Sequence, residues 1–180
     1  MAAFTMRLFL CVAVLSGITL SHFRVHFHPW YRFWKPHRHH HGLRLFRGTC
    51  PSGWFSHNKR CFQFVSYKTQ WVNAERKCQN MGGNLASIHS EAEHLFLKRL
   101  FRKFSRRSDP FWLGLSDCYK EGWWFWSDGS KVEYTRWNRN EPNNHGGREH
   151  CLHTNFGPKR MWNDINCNDA YSFICARANP

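Results

Sequence analysis

The spacing of apolar residues between positions 69 and 104 predicts two amphipathic helices. The first covers Thr69–Met81, and its apolar face carries Trp71, Ala74 and Cys78. The pair Gly82-Gly83 follows directly and predicts the end of this helix, because glycine is a poor helix former and a common stop.

The second helix is predicted to begin at Ser90, where Glu93 three residues later completes a capping box, and to end before Pro110. Its apolar positions are Leu95, Leu97, Leu100, Phe101 and Phe104. Its basic positions are Lys98, Arg99, Arg102 and Lys103, followed by Arg106-Arg107. The apolar face is interpreted as core rather than membrane-active, which leaves a basic solvent face suited to sulfated glycans or bacterial phosphates.

Beyond Pro110 the pattern changes to short apolar runs separated by turn residues, which is typical of strands. The predicted strands cover residues 111–115, 123–127, 131–137 and 172–175. Asp128-Gly129 predicts a hairpin turn between the second and third of them. Helices followed by strands predict an α+β domain of about 130 residues, which begins at Cys50.

The residues before this domain predict export. Residues 1–21 resemble a secretory signal peptide, because Arg7 precedes an apolar run, 8–15, that is too short to cross a bilayer. Cleavage after Ser16 or Ser21 would each leave a small residue at the cut. No later stretch is apolar for long enough to form a transmembrane segment, so we expect a secreted, extracellular protein.

Residues 22–49 form a basic tail rich in histidine and aromatic residues, without a single acid. A solvated linker is the simplest interpretation of this composition. The alternatives are a cationic host-defence segment and, at residues 37–41, a zinc or copper site, because imidazole suits both metals.

The formal net charge of +14 favours anionic partners without specifying a fold. No nucleic-acid-binding motif accompanies this charge, so a specific nucleic-acid partner is not expected. An enzyme is the least favoured class, because no nucleophile with an adjacent base can be assembled and His89, His94 and His153 have no evident catalytic partners.

Eight cysteines are present, and removal of the signal peptide with Cys11 leaves seven. In an oxidising compartment they predict disulfides with one cysteine left over, although the sequence alone does not determine the pairing. A zinc-cysteine site is disfavoured, because the chain lacks two closely spaced cysteine pairs.

Oxygen-bearing side chains are concentrated in the irregular segment between Trp137 and Cys175. They are Glu141, Asn143, Asn144, Glu149, Asn163, Asp164, Asn166, Asn168 and Asp169. Calcium binds six to eight such hard oxygen donors, and no EF-hand spacing is present, so a calcium loop of another kind is one interpretation. Ordinary solvated loop residues are the other.

The order of motifs resembles the C-type lectin-like domain in its long form, over Cys50 to Pro180. The matching features are Cys50, Cys61, Cys78, Trp112-Leu113-Gly114-Leu115, Glu141-Pro142-Asn143, Glu149, Cys151, Trp162-Asn163-Asp164, Cys167 and Cys175. Many features in the right order carry far more weight than a single short motif. The resemblance implies an α+β fold with two helices flanking two small antiparallel sheets, a long irregular calcium-binding loop and disulfide staples.

The resemblance also implies the pairs Cys50–Cys61, Cys78–Cys175 and Cys151–Cys167. It implies a Ca²⁺ site made by Glu141, Asn143, Glu149, Asn163 and Asp164, with a cis peptide before Pro142. The family's calcium ion takes two vicinal sugar hydroxyls, while Glu141, Asn143, Glu149 and Asn163 contact the sugar. A Glu-Pro-Asn motif in this family usually accompanies mannose, fucose or N-acetylglucosamine, and Gln-Pro-Asp accompanies galactose.

The function implied is a calcium-dependent lectin for mannose-type glycans on microbial or cell surfaces, with a role in innate immunity. The alternative is an ice-binding or protein-binding relative without sugar activity, although such relatives usually lack some of the calcium ligands.

Two departures from the family pattern are informative. The accessory calcium site of the family matches Asp117 and Glu121, but Asn144 and His150 occupy the other two acidic positions, so we expect a weak or absent second calcium site. Cys118 has no partner in the main framework. It is expected either to form an intermolecular disulfide, giving a linked homodimer, or to be a buried free thiol.

Overall fold

A computed structural model of the protein describes residues 45–180. The predicted signal peptide and residues 22–44 of the tail, including the histidines at 37–41, lie outside the described residues. Within residues 45–180, no helix is long and apolar enough to cross a membrane.

The described chain contains two α-helices and eight strands that belong to one mixed sheet. The elements are β1 (Phe55–His57), β2 (Arg60–Thr69), α1 (Trp71–Asn80), β3 (Asn84–Leu85), α2 (Glu91–Phe104), β4 (Phe111–Ser116), β5 (Phe125–Trp126), β6 (Cys151–Phe156), β7 (Met161–Ile165) and β8 (Tyr171–Ala178). A short 3₁₀ helix covers His145–Gly147.

The sheet has the strand order β1-β2-β8-β4-β6-β7, while β3 pairs with β8 and β5 pairs with β4. The α+β prediction is confirmed. The two antiparallel sheets implied by the resemblance are joined here into one, because β4 and β8 pair in parallel through Phe111↔Ser172 and Trp112↔Phe173. All other paired strands are antiparallel.

Helix α1 is two residues shorter at its start than predicted, because Thr69 still pairs with Tyr171 as the last residue of β2. The glycine stop occurs as expected. Gly82 has φ +80°, and a Cβ on Gly83 would lie 2.1 Å from the carbonyl oxygen of Ala176. The two glycines therefore end the helix and allow the chain to approach β8 closely.

Helix α2 begins where its capping residues predict. The Ser90 side chain accepts the Glu93 N–H, while the Glu93 carboxylate accepts the N–H of His89 and pairs with Arg60 at 3.2 Å. The predicted core face is confirmed for Leu97, Leu100 and Phe101, which are buried, whereas Leu95 and Phe104 are exposed. Lys98, Arg99, Arg102 and Lys103 are exposed or only partly buried.

Strand β4 crosses the centre of the fold. The Trp112 indole donates to the Thr69 carbonyl and the Trp71 indole donates to the Leu113 carbonyl, both at 2.8 Å. A Cβ on Gly114 would lie 2.6 Å from the carbonyl oxygen of Leu85. The segment Trp112-Leu113-Gly114 therefore packs β4 tightly against the chain on both sides of α1. A residue larger than glycine has no space at position 114.

Two strand predictions need correction. The strand predicted at 123–127 is reduced to β5, and residues 131–137 form no strand. In the second segment Val132, Tyr134 and Trp137 are partly buried against the core, and only Trp137 makes an isolated bridge, to Trp162. The alternating pattern therefore reflects side-chain packing rather than a hydrogen-bonded ladder.

Three disulfides connect the elements, and they are the pairs that the family resemblance implies. Cys50–Cys61 joins the start of the domain to β2, Cys78–Cys175 joins α1 to β8, and Cys151–Cys167 joins β6 to the segment after β7. The last of them lies directly beside the irregular loop that precedes β6.

Candidate functional site

The loop of residues 138–150 brings the predicted calcium ligands to the exposed end of the β6–β7 hairpin. It is attached to β7 by a hydrogen bond of 2.8 Å from the Asn138 N–H to the Trp162 carbonyl. The Glu141–Pro142 peptide is cis, and Asn140 and Asn144 have positive φ. Asn163 and Asp164 belong to β7, so the ligand set combines a loop with a rigid strand.

Asp164 lies at the centre of the site and is fully buried. Its carboxylate accepts the backbone N–H of Asn143 at 3.0 and 3.1 Å and that of Asn144 at 2.7 Å. These charge-assisted bonds hold the chain that follows the Glu-Pro pair against β7.

Glu141 and Asn143 form a donor and acceptor pair beside Asp164. The Asn143 side-chain amide donates to Glu141 Oε2 at 2.5 Å. Burial, together with the negative charges of Asp164 and Glu149, raises the pKa of Glu141 to about 7. Three carboxylates therefore repel one another here, which is the electrostatic condition that a bound cation relieves.

Glu149 is connected to the same centre through Asn144. The Glu149 N–H donates to Asn144 Oδ1 at 3.0 Å, and the Glu149 carboxylate accepts the His145 N–H at 3.0 Å. The sequence predicts Asn144 as one of the clustered oxygen donors and as a departure from the family pattern at the accessory site, but not as a link between other donors. Its left-handed conformation and its contact with Asp164 make it a bridge between Glu149 and Asp164, two of the predicted calcium ligands.

Asn163 is buried, and its side-chain nitrogen lies 3.1 Å from His153 Nε2. These two residues face each other in the β6–β7 register. Burial lowers the pKa of His153 to about 4, so its imidazole is neutral at physiological pH and orients the amide without adding charge. Sequence reasoning missed this role, because it depends on the register of two strands that the pattern did not predict.

The predicted ligands fit calcium by their chemistry. Glu141, Asn143, Glu149, Asn163 and Asp164 offer carboxylate and amide oxygens, and the first, third and last are mutually repelling anions. This donor set suits Ca²⁺, which prefers oxygen ligands in flexible geometry. Four of the five are connected by hydrogen bonds through Asn144 and Asp164.

A second cluster lies on the other side of Asn144. His150 Nδ1 lies 3.1 Å from Asp117 Oδ1 and 3.6 Å from Glu121 Oε2. The Asn144 amide donates to Glu121. The four positions that correspond to the family's accessory site are therefore assembled, but with the imidazole of His150 in place of one acid and the amide of Asn144 in place of another.

Cys118 is an exposed free cysteine, so the alternative of a buried thiol is wrong. Its Sγ lies 3.6 Å from Sγ of Cys167, which forms the disulfide with Cys151. The intermolecular disulfide stays a prediction.

Basic side chains of α2 line a groove at the opposite end of the β6–β7 hairpin. The groove is formed by Lys98, Arg99 and Arg102 of α2 together with Asn155 and Arg160. Burial, with the charges of Arg160 and Arg102, lowers the pKa of Lys98. Cations from two elements therefore converge here, which is an arrangement that favours a bound anion.

Comparisons with known proteins show which proteins this chain is similar to. A family model described as Lectin C-type domain matches residues 67–177. Lactose-binding lectin l-2 of Anguilla japonica is 42% identical over 97% of this chain and 96% of its own length. Galactose-specific lectin nattectin of Thalassophryne nattereri is 44% identical over 72% of this chain and 80% of its own length.

The solved structure of herring type II antifreeze protein has a TM-score of 0.67 at 36% identity. The match covers 72% of this chain and 98% of that chain. This likeness confirms the expected fold, which the structure shows with two helices, one mixed sheet and three disulfides.

Proposed function

The chain belongs to the C-type lectin family, and from this premise we propose that it is a secreted, calcium-dependent lectin for mannose-type sugars. The observation that carries the proposal is the assembly of Glu141, Asn143 and Glu149 around Asp164. The negative charges of Asp164 and Glu149 both act on the Glu141 carboxylate. The proposed role is recognition of microbial or cell-surface glycans in innate immunity.

The proposed mechanism is recognition without turnover. Calcium, when bound, would supply open coordination positions for two vicinal hydroxyls of a pyranose. Glu141 and Asn143 already face each other as acceptor and donor, and one sugar hydroxyl needs both. Glu149 and Asn163 would serve the second hydroxyl, while Asp164 holds the loop and the His153 imidazole orients Asn163.

The specificity proposal depends on the Glu-Pro-Asn motif. The amide of Asn143 and the carboxylate of Glu141 place donor and acceptor in the order that family members with mannose-type ligands share. The second candidate is galactose, because two relatives carry names that describe lactose-binding and galactose-specific lectins. Both candidates use the same residues, so they differ only in the hydroxyl geometry that the site accepts.

Affinity chromatography distinguishes these candidates. We expect the protein to bind immobilised mannose in calcium and to elute with a chelator, while immobilised galactose retains little. Asn143→Asp replaces a donor with an acceptor and should abolish mannose retention. Asn168→Asp makes the same chemical change at an exposed turn position and serves as the matched control. Retention that a chelator leaves unchanged would contradict calcium dependence, and retention on galactose alone would favour the second candidate.

Acidic glycans are a proposed extension of the same function. The groove of Lys98, Arg102 and Arg160 would hold sulfate or phosphate groups of a glycan whose neutral sugar occupies the calcium site. Lys98→Gln with Arg102→Gln should weaken binding to a heparin column at 0.15 M salt. The pair Lys59→Gln with Lys131→Gln removes the same charge elsewhere and serves as the control. If both pairs weaken heparin binding equally, the binding depends on net charge and not on the groove.

Ice binding without sugar activity is the alternative function, and the likeness to herring antifreeze protein motivates it. Thermal hysteresis in a nanolitre osmometer measures it directly. We expect none from this chain, and measurable hysteresis at micromolar protein would favour the alternative.

A further inference from the structure

The strongest feature that the proposed sugar site does not use is the cluster of Asp117, Glu121 and His150. Its three candidate ligand atoms all lie within 4.8 Å of one another. They come from the residue after β4, the turn that follows it and the residue before β6. Asp117 is almost fully buried, whereas the side chains of His150 and Glu121 are 31% and 58% exposed.

We propose that this cluster is a zinc site rather than a second calcium site. Ligand atoms at about 2.1 Å from a shared tetrahedral zinc ion lie about 3.4 Å apart. The distances from His150 Nδ1 to Asp117 Oδ1 and Glu121 Oε2, 3.1 and 3.6 Å, bracket that separation. Calcium takes oxygen ligands, so the imidazole of His150 selects against it and in favour of a borderline metal.

The neighbouring hydrogen bonds hold the ligands in place. The other oxygen of Asp117, Oδ2, accepts the Gly122 N–H at 2.8 Å, and the Asp117 N–H donates to the His150 carbonyl at 3.2 Å. Such outer contacts orient metal ligands and increase affinity. Because Glu121 and His150 are partly exposed, water can reach the ion and supply a fourth ligand.

The cluster is also connected to the proposed sugar site. The side chain of Asn144 donates to Glu121 and accepts the Glu149 N–H, while its own N–H donates to Asp164. Zinc would fix Glu121 and thereby restrict Asn144 in the conformation that orders Glu149 and Asp164, two of the five proposed calcium ligands. Binding of the two ions is therefore expected to be cooperative and reciprocal. This coupling rests on the proposed function, whereas the zinc site itself does not.

The first test locates the ion. Crystals of the full chain grown with zinc should give a peak in anomalous difference density at the zinc edge, bounded by Asp117, Glu121 and His150. In calorimetry with zinc chloride at pH 7.4 and millimolar calcium, His150→Gln should weaken one zinc site by about 100-fold or more. His145→Gln removes an exposed imidazole from the same loop and should leave that site unchanged.

All variants keep the histidines of the N-terminal tail. A difference in zinc binding between the wild type and a variant therefore reports on the cluster and not on the tail. Glu121→Gln is the second variant, because its largely exposed side chain can be changed with little risk to folding. The same zinc stoichiometry and affinity in wild type, His150→Gln and Glu121→Gln, without a peak at the cluster, would show that these residues form only a salt bridge and would overturn the proposal.

The second test measures coupling. With zinc present, the calcium Kd of the wild type should fall about five-fold, and in His150→Gln it should not change. Zinc binding at the cluster without any effect on calcium would remove the coupling and leave the zinc site intact. A protein that binds no calcium but shows the zinc peak would contradict the proposed function alone.

Discussion

Replacement of Asp164 with asparagine removes one negative charge from the centre of the site and preserves the side-chain shape. The new amide keeps one oxygen that can accept the backbone N–H of Asn143, which in the wild type bonds to the carboxylate at 3.0 and 3.1 Å, but this oxygen no longer carries a negative charge. The change from a charged to a neutral acceptor weakens the hydrogen bonds from Asn143 and Asn144, at a cost of about 1–3 kcal/mol. Relief of the repulsion with Glu141 offsets part of this cost, since Asp164 helps raise the pKa of Glu141.

The net loss in calcium-free protein is therefore about 1–2 kcal/mol, or roughly 4–8 °C in the thermal midpoint for a domain of this size. Calcium at 100 times its Kd adds about 2.7 kcal/mol to the wild type and nothing to Asp164→Asn, so the difference in unfolding free energy grows to about 4–5 kcal/mol.

Thermal unfolding followed by circular dichroism, with chelator and with calcium, measures both quantities. Glu133→Gln makes the same carboxylate-to-amide change at an exposed position and should match the wild type in each condition. The reasoning is refuted if Asp164→Asn gains as much stability from calcium as Glu133→Gln does.

Three further predictions concern packing, pH and the free thiol. Gly114→Ala should cost about 3 kcal/mol in chemical denaturation, because its Cβ would lie 2.6 Å from the Leu85 carbonyl oxygen; a loss below about 0.5 kcal/mol would contradict the packing. Burial and then Lys98 lower the pKa of His94 to about 4, so the unfolded chain takes up the proton first and stability falls as pH drops from 6.5 toward 4. His94→Leu should lessen that fall by up to about 3 kcal/mol, and an unchanged pH profile would contradict it. Non-reducing electrophoresis should show a dimer that Cys118→Ser abolishes, and monomer alone in the wild type would exclude the intermolecular disulfide.

The sequence pattern predicted the elements whose ends carry strong signals. Ser90 and Glu93 mark the start of α2, the paired glycines mark the end of α1, and the apolar run 111–115 becomes β4. The β6–β7 hairpin could not be found this way, because His153, Thr154 and Asn155 look like loop residues although all three are buried in a strand.

Part of the candidate site can likewise be predicted from the sequence, and part of it cannot. The cluster of oxygen donors was visible in the sequence, and the family resemblance supplied the five residues proposed as ligands. The bridge through Asn144 and the contact of His153 with Asn163 depend on a left-handed backbone conformation and on cross-strand register. Neither is encoded in local residue spacing, so only the folded chain reveals them.

The central claim is that one calcium ion and the loop from Glu141 to Asp164 together bind a mannose-type sugar. Titration calorimetry of methyl α-mannoside into the calcium-loaded protein tests it most directly. We expect saturable binding that disappears when calcium is chelated and returns when it is restored. No binding heat with calcium present, or the same heat after chelation, would contradict the claim.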